Sequence, residues 1–255
     1  MGWNRVDTAA YTLWKIYAAV FDLEKRKLEL LMSVVLILCA WIFAEKGWEK
    51  VSADRVESGP ARWTVVIDAG HGGNDPGKIG VDDSQEKDLN LIIAKKVQKL
   101  LEQQDVEVVM TRESDAGLYD ENASNKKVQD MKNRVALIEE RQPALTVSIH
   151  QNSYHEEYVH GAQVFYYANS EKSKTLAERI QQAMALELDK ENARQAKAND
   201  SYYLLKKTST PIVIVECGFL SNYEEAQKLA SDLYQEKVAW AIHMAVMQYL
   251  NQEDM

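Results

Sequence analysis

From Trp63 onward, short continuous apolar runs alternate with stretches in which apolar residues recur every three or four positions. The runs TVVIDA, VEVVM, ALTVSI, AQVFYY and PIVIVE are too short for helices and rich in β-branched residues, so they predict strands. Between and after them, residues 85–104, 125–141, 173–188 and 232–250 carry the 3.6-residue period of helices. In the last of these, Val238, Ile242, Ala245 and Tyr249 share one face. Strands that are apolar on both sides and alternate with helices predict a single α/β domain over 62–252, with a mostly parallel twisted sheet flanked by helices. Residues 189–203 show neither period and read as a surface loop close to the site.

The N-terminal quarter is patterned differently. Residues 30–44 (LLMSVVLILCAWIFA) form one apolar run, preceded by Lys25, Arg26 and Lys27. As a helix it would measure about 22 Å against a hydrocarbon core of ~30 Å, and Leu28 and Trp48 extend it towards a spanning length. An uncleaved N-terminal membrane helix over 28–48 is expected, with 1–27 in the cytoplasm by the positive-inside rule and everything later outside. The alternative is a cleaved signal segment. No A-x-A pattern follows the run, and Leu38 before Cys39 is bulky for lipoprotein processing. Residues 49–61 are polar, contain Gly59-Pro60 and read as a linker.

Composition narrows the class. Of 255 residues, 46% are hydrophobic and 27% charged, with 11 Gly and 4 Pro, which excludes collagen-like, low-complexity and wholly disordered chains. A net charge of −9 argues against nucleic acid as a partner. Cys39 and Cys217 lie in segments of different character, and no disulfide is expected.

Three chemically active residues stand directly after predicted strands: His71, His150 and Glu216. The carboxyl ends of parallel strands share one edge, where ligands bind, so the fold would gather them. His71 sits in IDAGHGGNDPG, a turn whose glycines let backbone approach a ligand. A phosphate cradle is the rival reading there, but no G-x-x-x-x-G-K-[ST] or G-x-G-x-x-G pattern is present. Glu86 opens a helix on the face of Leu89, Ile93, Val97 and Leu100, which points it inward. It equally fits a capping box with Asp83 three positions earlier. Two imidazoles and a carboxylate make a catalytic zinc set of three protein ligands, His71, Glu86 and His150, with Glu216 left as general base. A structural role for Glu216 would pair it with Lys206 or Arg134. Asp68 and Asp88 are candidates to hold the imidazoles from behind. His155, His160 and His243 suit surface or core positions.

The segments IDAGHGGNDPG, EKDLNL, SIHQN and PIVIVECGFLSN resemble, in order, the four signature blocks of the zinc-dependent N-acetylmuramoyl-L-alanine amidases of bacterial wall turnover. The resemblance implies Zn2+ held by His71, Glu86 and His150, with Glu216 acting in catalysis. The substrate it implies is the amide between N-acetylmuramic acid and L-alanine in peptidoglycan. Gln151 departs from the small residue that many relatives carry after the ligand histidine. The single apolar N-terminal segment, the absence of wall-binding repeats and the stretch LYDENASNKKVQDMKNRVALIEE are similar to the germination-specific, sporulation-type members. Those members act in spore cortex on the way to muramic δ-lactam, and in some clostridial relatives a lipoprotein activator is required. The alternatives are a zinc peptidase cutting within stem peptides and a non-catalytic, membrane-tethered wall-binding protein.

Overall fold

The computed structural model describes residues 61–252 and, N-terminal to them, 14, 15, 22, 26, 27, 30–38 and 41. The chain divides into two compact units, Met1–Ser58 and Gly59–Met255. In the first, residues 30–38 are helical and their apolar side chains are exposed. Among the described residues, no helix is long and apolar enough to cross a membrane. The fold thus lends no support to the expected helix over 28–48, part of which lies outside the described residues.

The second unit is built on one six-stranded sheet. Its strands are β1 (Thr64–Ala69), β2 (Glu107–Met110), β3 (Leu145–Asn152), β4 (Gln163–Tyr166), β5 (Lys197–Ala198) and β6 (Ile212–Phe219). They lie in the order β2-β1-β3-β6-β4-β5. The sheet is mixed: β4 runs antiparallel to β6, whereas every other pairing is parallel. The helices are α1 (Glu86–Glu102), α2 (Lys126–Arg141), α3 (Glu171–Glu187), α4 (Tyr203–Lys207), α5 (Tyr223–Ala230) and α6 (Asp232–Gln252).

Successive strand residues face opposite sides of the sheet, and the burial follows that rule. Val65, Ile67 and Ala69 of β1 pack with Ile93, Val97, Ile180 and Ile242 from α1, α3 and α6. Val66 faces the other way, into a smaller core with Ile138 of α2, Leu204 and Leu205 of α4, and Ile212 and Ile214 of β6. Side-chain caps set several helix starts, because an oxygen acceptor satisfies an otherwise orphaned N–H. Asn125 accepts from Val128 N, Ser170 from Ser173 N, and Asn222 from Glu225 N. The Ser170 cap begins α3 at Glu171, ahead of the expected 173.

Two features place the chemistry. In the parallel register of β3 with β6, His150 lies opposite Glu216. The β1 strand ends at Ala69, and the chain turns at once into the loop bearing His71.

Candidate active site

The glycine-rich turn holds His71 in an unusual backbone conformation, φ 62°, which costs a β-carbon-bearing residue on the order of 1–2 kcal/mol. Two buried arginines restrain it. Arg134, at 1% exposure, donates Nη1 to the Ala69 carbonyl at 2.9 Å and Nη2 to the His71 carbonyl at 2.7 Å. Arg112 donates to the carbonyls of Ala69 at 2.9 Å and Gly70 at 3.0 Å. Its guanidinium also ties Lys87 O, in the first turn of α1, to the same point at 2.7 Å.

Glu86 is the first residue of α1 and turns into the site. The capping-box alternative is not what forms: Gln85 occupies the cap position with no side-chain bond, and Asp83 sits at φ 65°. Glu86 Oε2 accepts from Lys78 N at 2.8 Å, and Oε1 accepts from Gln151 N at 3.1 Å. Oε1 also lies 3.2 Å from His71 Nε2 and 3.0 Å from His150 Nδ1. One donor atom from each of His71, Glu86 and His150 lies within 4.8 Å of the others. The two rings meet edge-on, with centroids 5.0 Å apart.

The electrostatics follow from this geometry. Burial alone would raise the Glu86 carboxyl, but the two imidazoles outweigh it and hold it far below the usual carboxylate range. Burial would lower His150, and the hydrogen bond and charge of Glu86 reverse that into a rise. Three converging ligand atoms, two imidazole nitrogens and a carboxylate oxygen, fit a divalent metal of zinc type. Glycine is required around them. A Cβ on Gly70 would meet the His150 ring at 2.3 Å, and one on Gly77 would meet Glu86 Oε2 at 2.5 Å.

Glu216, at 6% exposure, closes the group. Its Oε1 accepts from the Tyr202 hydroxyl at 3.3 Å, and its buried Oε2 has no hydrogen-bond partner among the described residues. Burial, joined by the Glu86 charge and only partly offset by the histidines and Tyr202, pushes its carboxyl up to about 7. The cleft beside it is walled by Met131 of α2, Tyr203 and Leu204 of α4, and Ile214, with Lys127 at the rim.

Several sequence expectations are corrected. Neither Lys206 nor Arg134 pairs with Glu216: Lys206 is exposed on α4, and Arg134 is committed to Asp68, Asp130 and backbone. Asp68 does not back an imidazole but is the buried partner of Arg134 Nη1 (2.6 Å), Thr111 and Ser148. Asp88 is exposed. The carboxylate behind an imidazole is Asp75, whose Oδ2 lies 3.0 Å from His71 Nδ1. Its signal was the four-residue spacing within the turn. Gln151 does not face the cleft; its amide reaches Asn90 Oδ1 at 3.1 Å, and Asn90 in turn donates to Gly70 O at 3.1 Å. His155 and His160 are exposed, and His243 is buried beside Trp240, all three outside the cluster. Tyr202 had no sequence signal beyond lying in the unpatterned stretch.

Known proteins share sequence and fold with most of the chain. The germination-specific N-acetylmuramoyl-L-alanine amidase of Bacillus subtilis (strain 168) is 36% identical over 192 residues, covering 74% of this chain and 80% of that protein. The solved CwlD amidase from Clostridioides difficile, in complex with the GerS lipoprotein, is 40% identical with a TM-score of 0.73, covering 74% of this chain and 99% of that one. The amidase AmiC2 of Nostoc punctiforme is 34% identical with a TM-score of 0.66, over 76% of this chain and 99% of its own. Residues 65–248 match the N-acetylmuramoyl-L-alanine amidase family. The protein therefore belongs to the N-acetylmuramoyl-L-alanine amidase family of hydrolases.

Proposed function

We propose that the protein is a zinc-dependent enzyme that hydrolyses the amide between the lactyl group of N-acetylmuramic acid and L-alanine in spore-cortex peptidoglycan, as a step towards muramic δ-lactam. The observation that carries the reading is the convergence of His71, Glu86 and His150 donor atoms within 4.8 Å, beside the buried carboxylate of Glu216. His71 Nε2, Glu86 Oε1 and His150 Nδ1 would hold the ion. When bound, zinc supplies Lewis-acid polarisation of the scissile carbonyl and of a water.

The remaining work falls to the chain. Glu216 accepts the proton of the attacking water on its unpartnered Oε2 and returns it to the leaving amine. In the metal-free site burial raises the Glu216 carboxyl, so it takes up a proton more readily than an exposed carboxylate would. Asp75 holds His71 by its Nδ1 and leaves Nε2 facing Glu86. The cortex setting is supported by similarity to the germination-specific relative.

The same reading places the catalytic domain outside the cytoplasm, tethered through residues 28–48, on the strength of the apolar run and the basic residues before it. A lipoprotein activator belongs to the same reading, supported by the Clostridioides difficile relative having been solved in complex with a lipoprotein. Mass spectrometry of cortex and vegetative wall treated with the purified chain tests the function. Free stem peptide from cortex, abolished by chelator and restored by zinc, is expected. Free amino acids in place of whole stem peptides would overturn it.

A further inference from the structure

The chain entering α4 carries a side chain that the amidase reading leaves without a task. Tyr202 is half-buried, and its hydroxyl donates to Glu216 Oε1 at 3.3 Å, the sole hydrogen bond that this carboxylate receives among the described residues. The ring is fixed from two sides. It packs edge-on against Phe165 of β4, with centroids 5.6 Å apart at 77°. On the main chain, the Tyr202 backbone N–H donates to Asn199 Oδ1 at 3.0 Å, and that oxygen also accepts from Ser201 N at 2.8 Å. Asn199 N in turn donates to Tyr166 O at 2.8 Å, continuing the edge where β5 pairs with β4. The edge strand thus delivers the phenol to the cleft on a short turn organised around the Asn199 side chain.

The two oxygens of Glu216 are consequently unequal. Oε1 is occupied by a donor, and Oε2 is buried with none. A carboxylate on a flexible stem turns about its last bond unless something holds it, and a proton carrier must present one oxygen at a set position. We propose that Tyr202 is a positioning residue for Glu216: it pins Oε1 so that Oε2 is the oxygen presented to the reacting water and amine. The proposal rests on Glu216 being the proton carrier.

The test compares Tyr202→Phe, Glu216→Gln and the double variant in the full chain, measuring kcat and KM on purified muropeptide, zinc content and Tm. Losing one hydrogen bond to a charged group should lower kcat roughly 10- to 100-fold. KM, zinc content and Tm should stay at parental values, and Tyr202→Phe should cost nothing further in the Glu216→Gln background. Asn199→Ala, which frees the turn while keeping the phenol, should lower kcat in the same direction by less. Unchanged kcat in Tyr202→Phe beside a slow Glu216→Gln, or losses that multiply in the double variant, would overturn the role of Tyr202 alone. Full turnover in Glu216→Gln would remove the proton carrier itself.

Discussion

His71 Nδ1 lies 3.0 Å from Asp75 Oδ2, and both residues belong to one short glycine-rich turn. The contact holds the ring by Nδ1 and turns Nε2 towards Glu86, 3.2 Å from its Oε1. The Asp75 carboxyl is held at about 2: burial would raise it, but the bond and charge of His71, Gly77 N and Lys127 prevail.

Asp75→Ala should therefore weaken zinc binding about 10- to 100-fold. Asp75 is partly exposed, so Tm of the chelated protein should change little. Competition against a chromophoric chelator measures the affinity, and a parental value would separate Asp75 from the metal.

Arg134 is the larger stability determinant. Its removal in Arg134→Met leaves the fully buried Asp68 carboxylate without its cation, at an expected cost of about 3–5 kcal/mol in denaturant unfolding at pH 7. The acid limb supplies a second check. Burial would raise Asp68, but Arg134 and the hydroxyls of Ser148 and Thr111 hold it at about 2, below its ordinary 3.8. A lowered carboxyl stabilises the fold above its unfolded value, so about 2 kcal/mol is fully present above pH ~4 and lost as the pH falls towards 2. In Arg134→Met that fall in stability between pH ~4 and 2 should flatten.

Gly77→Ala tests the turn itself. Gly77 has φ 70°, and the new methyl would sit 2.5 Å from Glu86 Oε2 and 2.8 Å from His71 Cδ2. Both side chains, the proposed zinc ligands, would have to move, so zinc stoichiometry should fall while far-UV circular dichroism stays parental. Full zinc content in a folded Gly77→Ala would contradict the packing described.

Much of this was legible because the strands are apolar on both faces and three of them carry a chemical residue towards their carboxyl side: His150 and Glu216 lie within β3 and β6, and His71 follows β1. Once β1, β3 and β6 run parallel, His71, His150 and Glu216 must share an edge. The direction of β4 was not legible, since AQVFYY reads the same in either orientation. Five residues of α4 and eight of α5 are too few to display a helical period. Asp83 and Glu86 carried a capping signature that the tertiary fold overrode: Lys78 N, Gln151 N and two imidazoles claim the Glu86 oxygens first. Tyr202 meets Glu216 only through the path of the β5 edge, which no local pattern encodes.

Glu216 joins function to stability. Its carboxyl is raised from 4.5 to about 7, chiefly by burial, so the folded protein holds that proton more tightly than the unfolded chain does. Unfolding then becomes easier as the pH rises from about 4.5 through 7, and above that the ionised carboxylate costs the chelated protein about 3 kcal/mol. Glu216→Gln removes the charge and keeps an acceptor for Tyr202. In chelated protein it should raise unfolding free energy above pH 7 by up to that amount, with the gain vanishing below pH ~4.5. The same variant should lose about 10²- to 10⁴-fold in kcat while binding zinc normally. The proposed proton carrier is thus predicted to make the site locally unstable in chelated protein. Denaturation curves at pH 4.5 and 8, set beside turnover and zinc content, measure both sides of that exchange. A variant as slow as predicted but no more stable at pH 8 would show that burial does not strain Glu216.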